Sequence, residues 1–319
     1  MKFKFDFCKP RHIALIISGV ILLAGVVGLL INGGLNLDIQ FEGGTHIEIA
    51  MKEDNFDATD IESYIMNEMG KHVVAQKQSV FGQEGVEGGG VTLLIKASQS
   101  EVLSDEQVNL VIESMKEKYG IIEDRNPSIQ NVSPYIGAET LGKGLLAAFI
   151  AVVLILLYVW WRFSVMSGLS AALFATLGLV HCVMVVFVVY AVFRIPINDS
   201  FIAAILTILG YSINCTIIVY DRMRENTRKI RKVVHTEIVN NSLNQTLRRA
   251  LNTTITTLIS TGLVYVFALI YNLPSLTNFC LPLLIGLIAS VYTTFYIVAP
   301  QWAGWHVWVQ NREVHTAAK

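Results

Sequence analysis

The sequence predicts an α-helical polytopic membrane protein of six transmembrane helices, with one α+β ferredoxin-like extracytoplasmic domain between helices 1 and 2. Three observations carry that prediction. The chain of 319 residues is 53% hydrophobic and 15% charged, a balance that excludes an ordinary soluble domain and a disordered chain. Six apolar runs are each long enough to cross about 30 Å of hydrocarbon at roughly 1.5 Å per residue. The charges are also sorted along the chain. The N-terminus (Lys2, Lys4, Lys9, Arg11) and the loop Asp221–Arg249 (eight Lys/Arg against three Asp/Glu) are basic, whereas Asn32–Lys143 holds 19 Asp/Glu against eight Lys/Arg. Six crossings put both basic regions and both termini on one side, the cytoplasmic side of a cell membrane by the positive-inside rule.

Ile13–Ile31 is the first expected span. Its 19 residues exceed the ~7–15 of a signal-peptide core, and no convincing small-residue cleavage site follows, so residues 1–31 read as a cytoplasmic N-terminus and retained anchor. Residues 32–143 are a soluble insertion large enough for its own core. Ile47, Ile49 and Met51 alternate as a strand face. Asp57 caps a helix whose Ile61, Ile65 and Met69 share a stripe, with Gly70 as the stop. Val73–Phe81 and Val91–Ala97 read as strands joined by the Gly-rich loop Gly82–Gly90. Ser104 and Gln107 form a capping box for a helix bearing Val108, Val111 or Ile112, and Met115, closed by Gly120. Ser128–Ser133 reads as the fourth strand, which completes a split βαβ order.

The other expected spans, in region 144–299, are Gly144–Trp161, Val165–Phe193, Phe201–Tyr220, Leu251–Tyr271 and Leu276–Ala299; residues 300–319 read as a cytoplasmic tail. Cys8, Cys182, Cys215 and Cys280 lie at the N-terminus or in apolar segments, so no disulfide framework is implied. The insertion has no His/Cys cluster, catalytic triad or phosphate loop, which argues against an enzyme and against a metal site. A pI of 6.7 and the lack of a recognition module argue against nucleic acid as a partner.

Two spans carry polar residues that lipid cannot satisfy. In the fourth, Thr207, Gly210, Tyr211, Asn214 and Asp221 share a helical face, with Ser212 and Cys215 on a neighbouring stripe. In the fifth, Arg249, Asn252, Thr253, Thr256, Thr257 and Ser260 fall at i, i+3, i+4, i+7, i+8 and i+11. Hydroxyls of that kind commonly bond their own i−4 carbonyls and serve helix packing. The whole stripe led by an arginine points instead to an interface. His181, inside the third span, reads either as a neutral histidine bonded to a carbonyl or as a proton-handling group. The basic run Arg222–Lys232 is chiefly topological and is suited to membrane lipids.

Three segments carry a resemblance. Gly34–Thr45 contains Gly43-Gly44 just after the first span. Gly210–Asn226 ends in Asp221-Arg222-Met223-Arg224-Glu225-Asn226. Asn244–Thr253 opens the fifth span. In these motifs, and in the order of one helix, an exported domain and five helices, the chain resembles the SecF family of bacterial protein export, within the resistance-nodulation-division superfamily. The resemblance implies association with SecD, work beside the SecYEG channel, YajC and SecA as indirect partners, and an unfolded preprotein as substrate. It implies no cofactor beyond an ion gradient, of protons or of sodium. It also places Arg249 at the arginine of the family's relay.

The chain departs from that pattern at three positions. Cys215 follows Ser-Ile-Asn where the family usually has Asp, Cys182 follows His181 where the family has His-Asp, and Gln40 replaces an Asp before Gly-Gly. No expected span contains Asp or Glu. A thiol ionises far less readily than a carboxyl, near pH ~8.5 against ~4, so Cys215 is expected to stay neutral. Three readings remain. Coupling rests on a carboxylate of SecD, the ion is sodium, or no ion flows. Rival functions are a half-sized exporter of lipids or hydrophobes and a structural assembly subunit.

Overall fold

In a computed structural model, the residues described are 5–52, 56–80, 90–98, 103–122, 127–132, 134–164, 167–229, 235–271 and 273–317. The first apolar run forms α1 (Arg11–Asn32), stopped by Gly33 in the left-handed conformation with its N–H on the Leu29 carbonyl. A short helix α2 (Ile39–Glu42) follows, and then Gly43 (φ 82°) and Gly44 (φ 145°) turn the chain into β1 (Gly44–Met51). Both values lie where a Cβ is strained, so the Gly-Gly pair is a backbone requirement.

The insertion continues as α3 (Ala58–Met69), β2 (Val73–Val80), β3 (Gly90–Ser98), α4 (Asp105–Tyr119) and β4 (Ser128–Val132). The sheet order is β2-β3-β1-β4 with every pair antiparallel, and Ile47 sits opposite both Ile95 and Ile129. Alternation aims Ile47, Ile49, Leu93, Ile95 and Ala97 at one face, where α3 adds Ile61 and Ile65 and α4 adds Val108, Val111 and Met115. Asp57 accepts from Thr59 N, Gly70 closes α3 in the left-handed conformation, and Ser104 with Gln107 makes both bonds of the expected capping box. Ser104→Ala should therefore cost about 1 kcal/mol, read as a lower unfolding midpoint without loss of helical signal. Most of the expected Gly82–Gly90 loop lies outside the described residues.

Five further long helices make up the membrane part: α5 (Pro134–Arg162), α6 (Gly168–Phe193), α7 (Asp199–Lys229), α8 (His235–Ile270) and α9 (Pro274–Tyr292). The last continues through a π-helical segment (Thr293–Val298) into α10 (Ala299–Ala317), and with α1 there are six helices long and apolar enough to cross a membrane. Three boundaries need correction. The segment 221–249, expected as a loop, is helical through Lys229 and again from His235. The expected tail 300–319 is mostly α10, with Trp302 and Ala303 buried. The second helix starts at Pro134, well before Gly144. Hydropathy marks where the apolar run ends, whereas a helix continues as long as its backbone bonds and side-chain pairs support it. Glu225 supports α7 by pairing with Arg222 at i−3 and Lys229 at i+4.

The domain is clamped to the helices through residues 36–42. Asp38 N donates to Ile197 O at 2.9 Å and Ile197 N to Asn36 O at 2.8 Å. Asn36 Nδ2 donates to Arg194 O, and Gln40 Oε1 accepts from Asp199 N. Phe41 is buried against a cluster containing Tyr190, Ile197 and Phe201. From the sheet side, Lys96 Nζ lies 3.3 Å from Asp38 Oδ1. The glycine pair and the Lys96–Asp38 ion pair therefore both link the sheet to the clamped segment.

Candidate functional site on the α7 and α8 faces

Helix α7 buries Ser212, Cys215, Thr216 and Val219 in the bundle and leaves Thr207, Gly210 and Asn214 exposed. The expected division of its polar residues into two stripes is real, and the stripes face opposite ways. Tyr211 lies at the edge between them, and its hydroxyl donates to Thr254 Oγ1 of α8 at 2.9 Å. Thr254 is buried and was missed by the sequence reading, because it lies off the stripe that begins at Arg249. Its partner at Tyr211 explains why a hydroxyl occupies that apolar side.

On α8, Arg249, Asn252, Thr253, Thr256 and Ser260 are exposed, and Thr257 is half-buried. The threonines bond backward along the helix: Thr253 to Arg249 O, Thr256 to Asn252 O and Thr257 to Thr253 O. The packing reading thus accounts for the hydroxyl protons. It does not account for Asn214, Asn252 and Arg249, whose side chains have no hydrogen-bond partner among the described residues. Asn214 and Asn252 project from an apolar surface and are left to be satisfied by something outside this chain, whereas Arg249 lines a polar cleft with Asp221 and Glu225.

Cys215 is 3% exposed, with its thiol among Tyr211 and Ser290. Cys182 is fully buried, donates to Gly286 O at 3.4 Å, and neighbours Ser212 and Cys215. Both sit inside the chain, away from the exposed stripe. His181 stands apart as well. Its Nδ1 is hydrogen-bonded to Thr293 Oγ1 at 2.8 Å, and its buried Nε2 has no partner among the described residues. The expected carbonyl partner is replaced by the hydroxyl of Thr293, the first residue of the π-helical segment. Thr294 of the same segment meets Thr216 Oγ1 of α7 at 3.3 Å. The adjacent Thr293-Thr294 pair in an apolar run was the available signal for this missed feature.

The motif Asp221–Asn226 staples the ends of α7 and α8. Asn226 Nδ2 donates to Ser242 Oγ and to Gln245 Oε1, and Arg222 Nε donates to the same Gln245 oxygen at 2.6 Å. Arg162 of α5 and Arg224 both reach Asp221. Among the described residues no group of three His, Cys, Asp or Glu is placed to hold a metal ion. Among the described residues, the membrane-embedded part of the face (Asn214, Asn252, Thr253, Thr256) offers amides and hydroxyls, and the nearest carboxylates, Asp221 and Glu225, line the cleft beside Arg249 at the helix ends.

Fold and site together define a multi-pass membrane protein that carries a folded insertion after its first helix and a polar face open to a partner. Residues 111–308 match the family described as protein export membrane protein SecD/SecF, C-terminal. The chain is 33% identical to protein translocase subunit SecDF of Bacillus subtilis, over 95% of this chain and 38% of that protein. It is 28% identical to protein translocase subunit SecF of Alicyclobacillus acidocaldarius, over 96% of this chain and 94% of the relative. The crystal structure of SecDF, a translocon-associated membrane protein from Thermus thermophilus, superimposes with TM-score 0.75 at 28% identity, covering 95% of this chain and 39% of that one. The chain belongs to the SecD/SecF family of protein-export membrane proteins, whose members are translocase subunits rather than enzymes. It spans well under half the length of the SecDF relatives and nearly the whole of the SecF relative.

Proposed function

We propose that this chain is an accessory subunit of the Sec preprotein translocase, and that its exposed α7–α8 face packs against a SecD-type partner. One observation carries the reading: Asn214 and Asn252 lie exposed on an apolar helical surface with no side-chain hydrogen-bond partner among the described residues, and Arg249 stands at the end of the same stripe. A second subunit resolves that cost, and the names of the SecDF relatives, in which both halves share one chain, support its identity. Both termini face the cytoplasm, and the acidic insertion faces outward as a ferredoxin-like domain. Its antiparallel order β2-β3-β1-β4 with two covering helices supports that assignment. Held through Asp38–Lys96 and the Gly43-Gly44 turn, the domain transmits movement to an emerging preprotein beside the SecYEG channel.

Coupling to the ion gradient rests on a carboxylate of the partner, with Arg249 as its counter-charge. The neutral thiol at Cys215 and the carboxylate-free spans support that division of labour. Arg249→Met should lower gradient-driven export in membrane vesicles about tenfold, the loss of ~1.4 kcal/mol of coupling, while the partner still co-purifies. Equal export rates would remove Arg249 from the relay. Loss of co-purification would make it an assembly residue instead.

A further inference from the structure

We propose that the cleft between α5, α7 and α8 binds the phosphate headgroup of an anionic phospholipid. The cleft has a volume of about 640 Å³ and is lined by six cations, Arg162, Arg222, Arg224, Arg228, Lys229 and Arg249, against two carboxylates, Asp221 and Glu225. Each acid is already shared. Asp221 Oδ1 lies 3.1 Å from Arg162 Nη2 and 3.2 Å from Arg224 Nη2. Glu225 pairs with Arg222 through one oxygen and with Lys229 through the other. Arg228 has no carboxylate within ion-pair distance among the described residues, and it, rather than Arg249 at the partner-facing edge, supplies the free charge of the cleft.

The position of the cleft along the membrane normal selects the ligand. Arg162 closes α5 directly after Trp160-Trp161, a pairing typical of the headgroup layer. Arg249 stands one turn before the apolar part of α8. A cleft at that depth with six cations against two carboxylates fits a phosphodiester, whose oxygens take paired N–H donors while its acyl chains stay in hydrocarbon. A soluble acidic peptide would have to leave water to reach the same place. The inference does not depend on which ion drives export, or on whether one does.

The test uses the purified full-length chain and native mass spectrometry, with phosphatidylglycerol and phosphatidylcholine as probes. Wild type should retain phosphatidylglycerol preferentially. Arg222→Gln with Arg228→Gln should reduce that preference about 30-fold, at roughly fivefold per cation, whereas Lys9→Gln, outside the cleft, should leave it unchanged. Arg228 is exposed and unpaired among the described residues, so R228Q alone is the version least able to disturb folding and should cost about fivefold. An unchanged preference in R228Q and the double variant would overturn the proposal, as would an equal loss in Lys9→Gln, which would mean diffuse surface charge. Displacement of the lipid by millimolar inorganic phosphate would make this a small-anion site and overturn the lipid assignment.

Discussion

Gly286→Ala should destabilise the purified chain by about 1–3 kcal/mol, visible as a lower unfolding midpoint in detergent. Gly286 is where α9 crosses α7. A methyl group there would sit 2.5 Å from both Cδ1 and Cγ1 of Ile208 and 2.8 Å from its Cγ2, so the whole isoleucine must move and not merely its tip. Ile208 is 1% exposed, in a cluster with Phe201, Leu283 and Leu287, and has no space to enter. The carbonyl of Gly286 also accepts the Cys182 thiol, so a displaced α9 disturbs α6 as well. Lipid supplies no hydrophobic drive between helices, and close approach at small residues holds such crossings together. Ile208→Ala should recover part of the loss when combined with Gly286→Ala, because the two positions share one volume. Strictly additive losses in the double variant would show that the contact is not the cause.

Cys215→Asp should make the gradient dependence of export steeper, at a cost in stability of about 1–3 kcal/mol for a buried polar group. The position is enclosed, yet Tyr211 and Ser290 beside the thiol can hydrogen-bond a carboxyl, so the substitution is expected to be accommodated rather than to unfold the chain. It would add a titratable group one helix face away from the exposed stripe, with Tyr211 and Thr254 between them. Export rates measured in vesicles across a range of imposed pH gradients separate the possibilities. A steeper response places Cys215 next to the ion path. An unaltered response in a folded, assembled variant makes Cys215 a packing residue and leaves coupling to the partner alone.

Local chemistry made much of this protein legible. The caps at Asp57 and Ser104, the strand face of Ile47, Ile49 and Met51, and the six apolar runs depend on neighbours within a few residues, and all of them recur in the structure. The polar stripe beginning at Arg249 was readable for the same reason, since helical spacing alone puts its members on one side. Charged residues do not end these helices: α7 is helical through Lys229 and α8 begins at His235. Glu225 shows the cause: it stabilises helix in the charged segment that hydropathy leaves blank.

Residue order alone dictates a membrane-spanning helical chain with an acidic insertion, because burial in lipid and the 3.6-residue and two-residue repeats act over short stretches. Which polar groups are satisfied inside the bundle follows from the helix packing. Tyr211 meets Thr254, His181 meets Thr293 through the π-helical turn, and Asn226 meets Ser242 across a gap of 16 residues. Asn214 and Asn252 stay outside, with no side-chain hydrogen-bond partner among the described residues. That partition depends on how six helices cross in three dimensions, and helix crossings are set by packing between residues far apart in the chain.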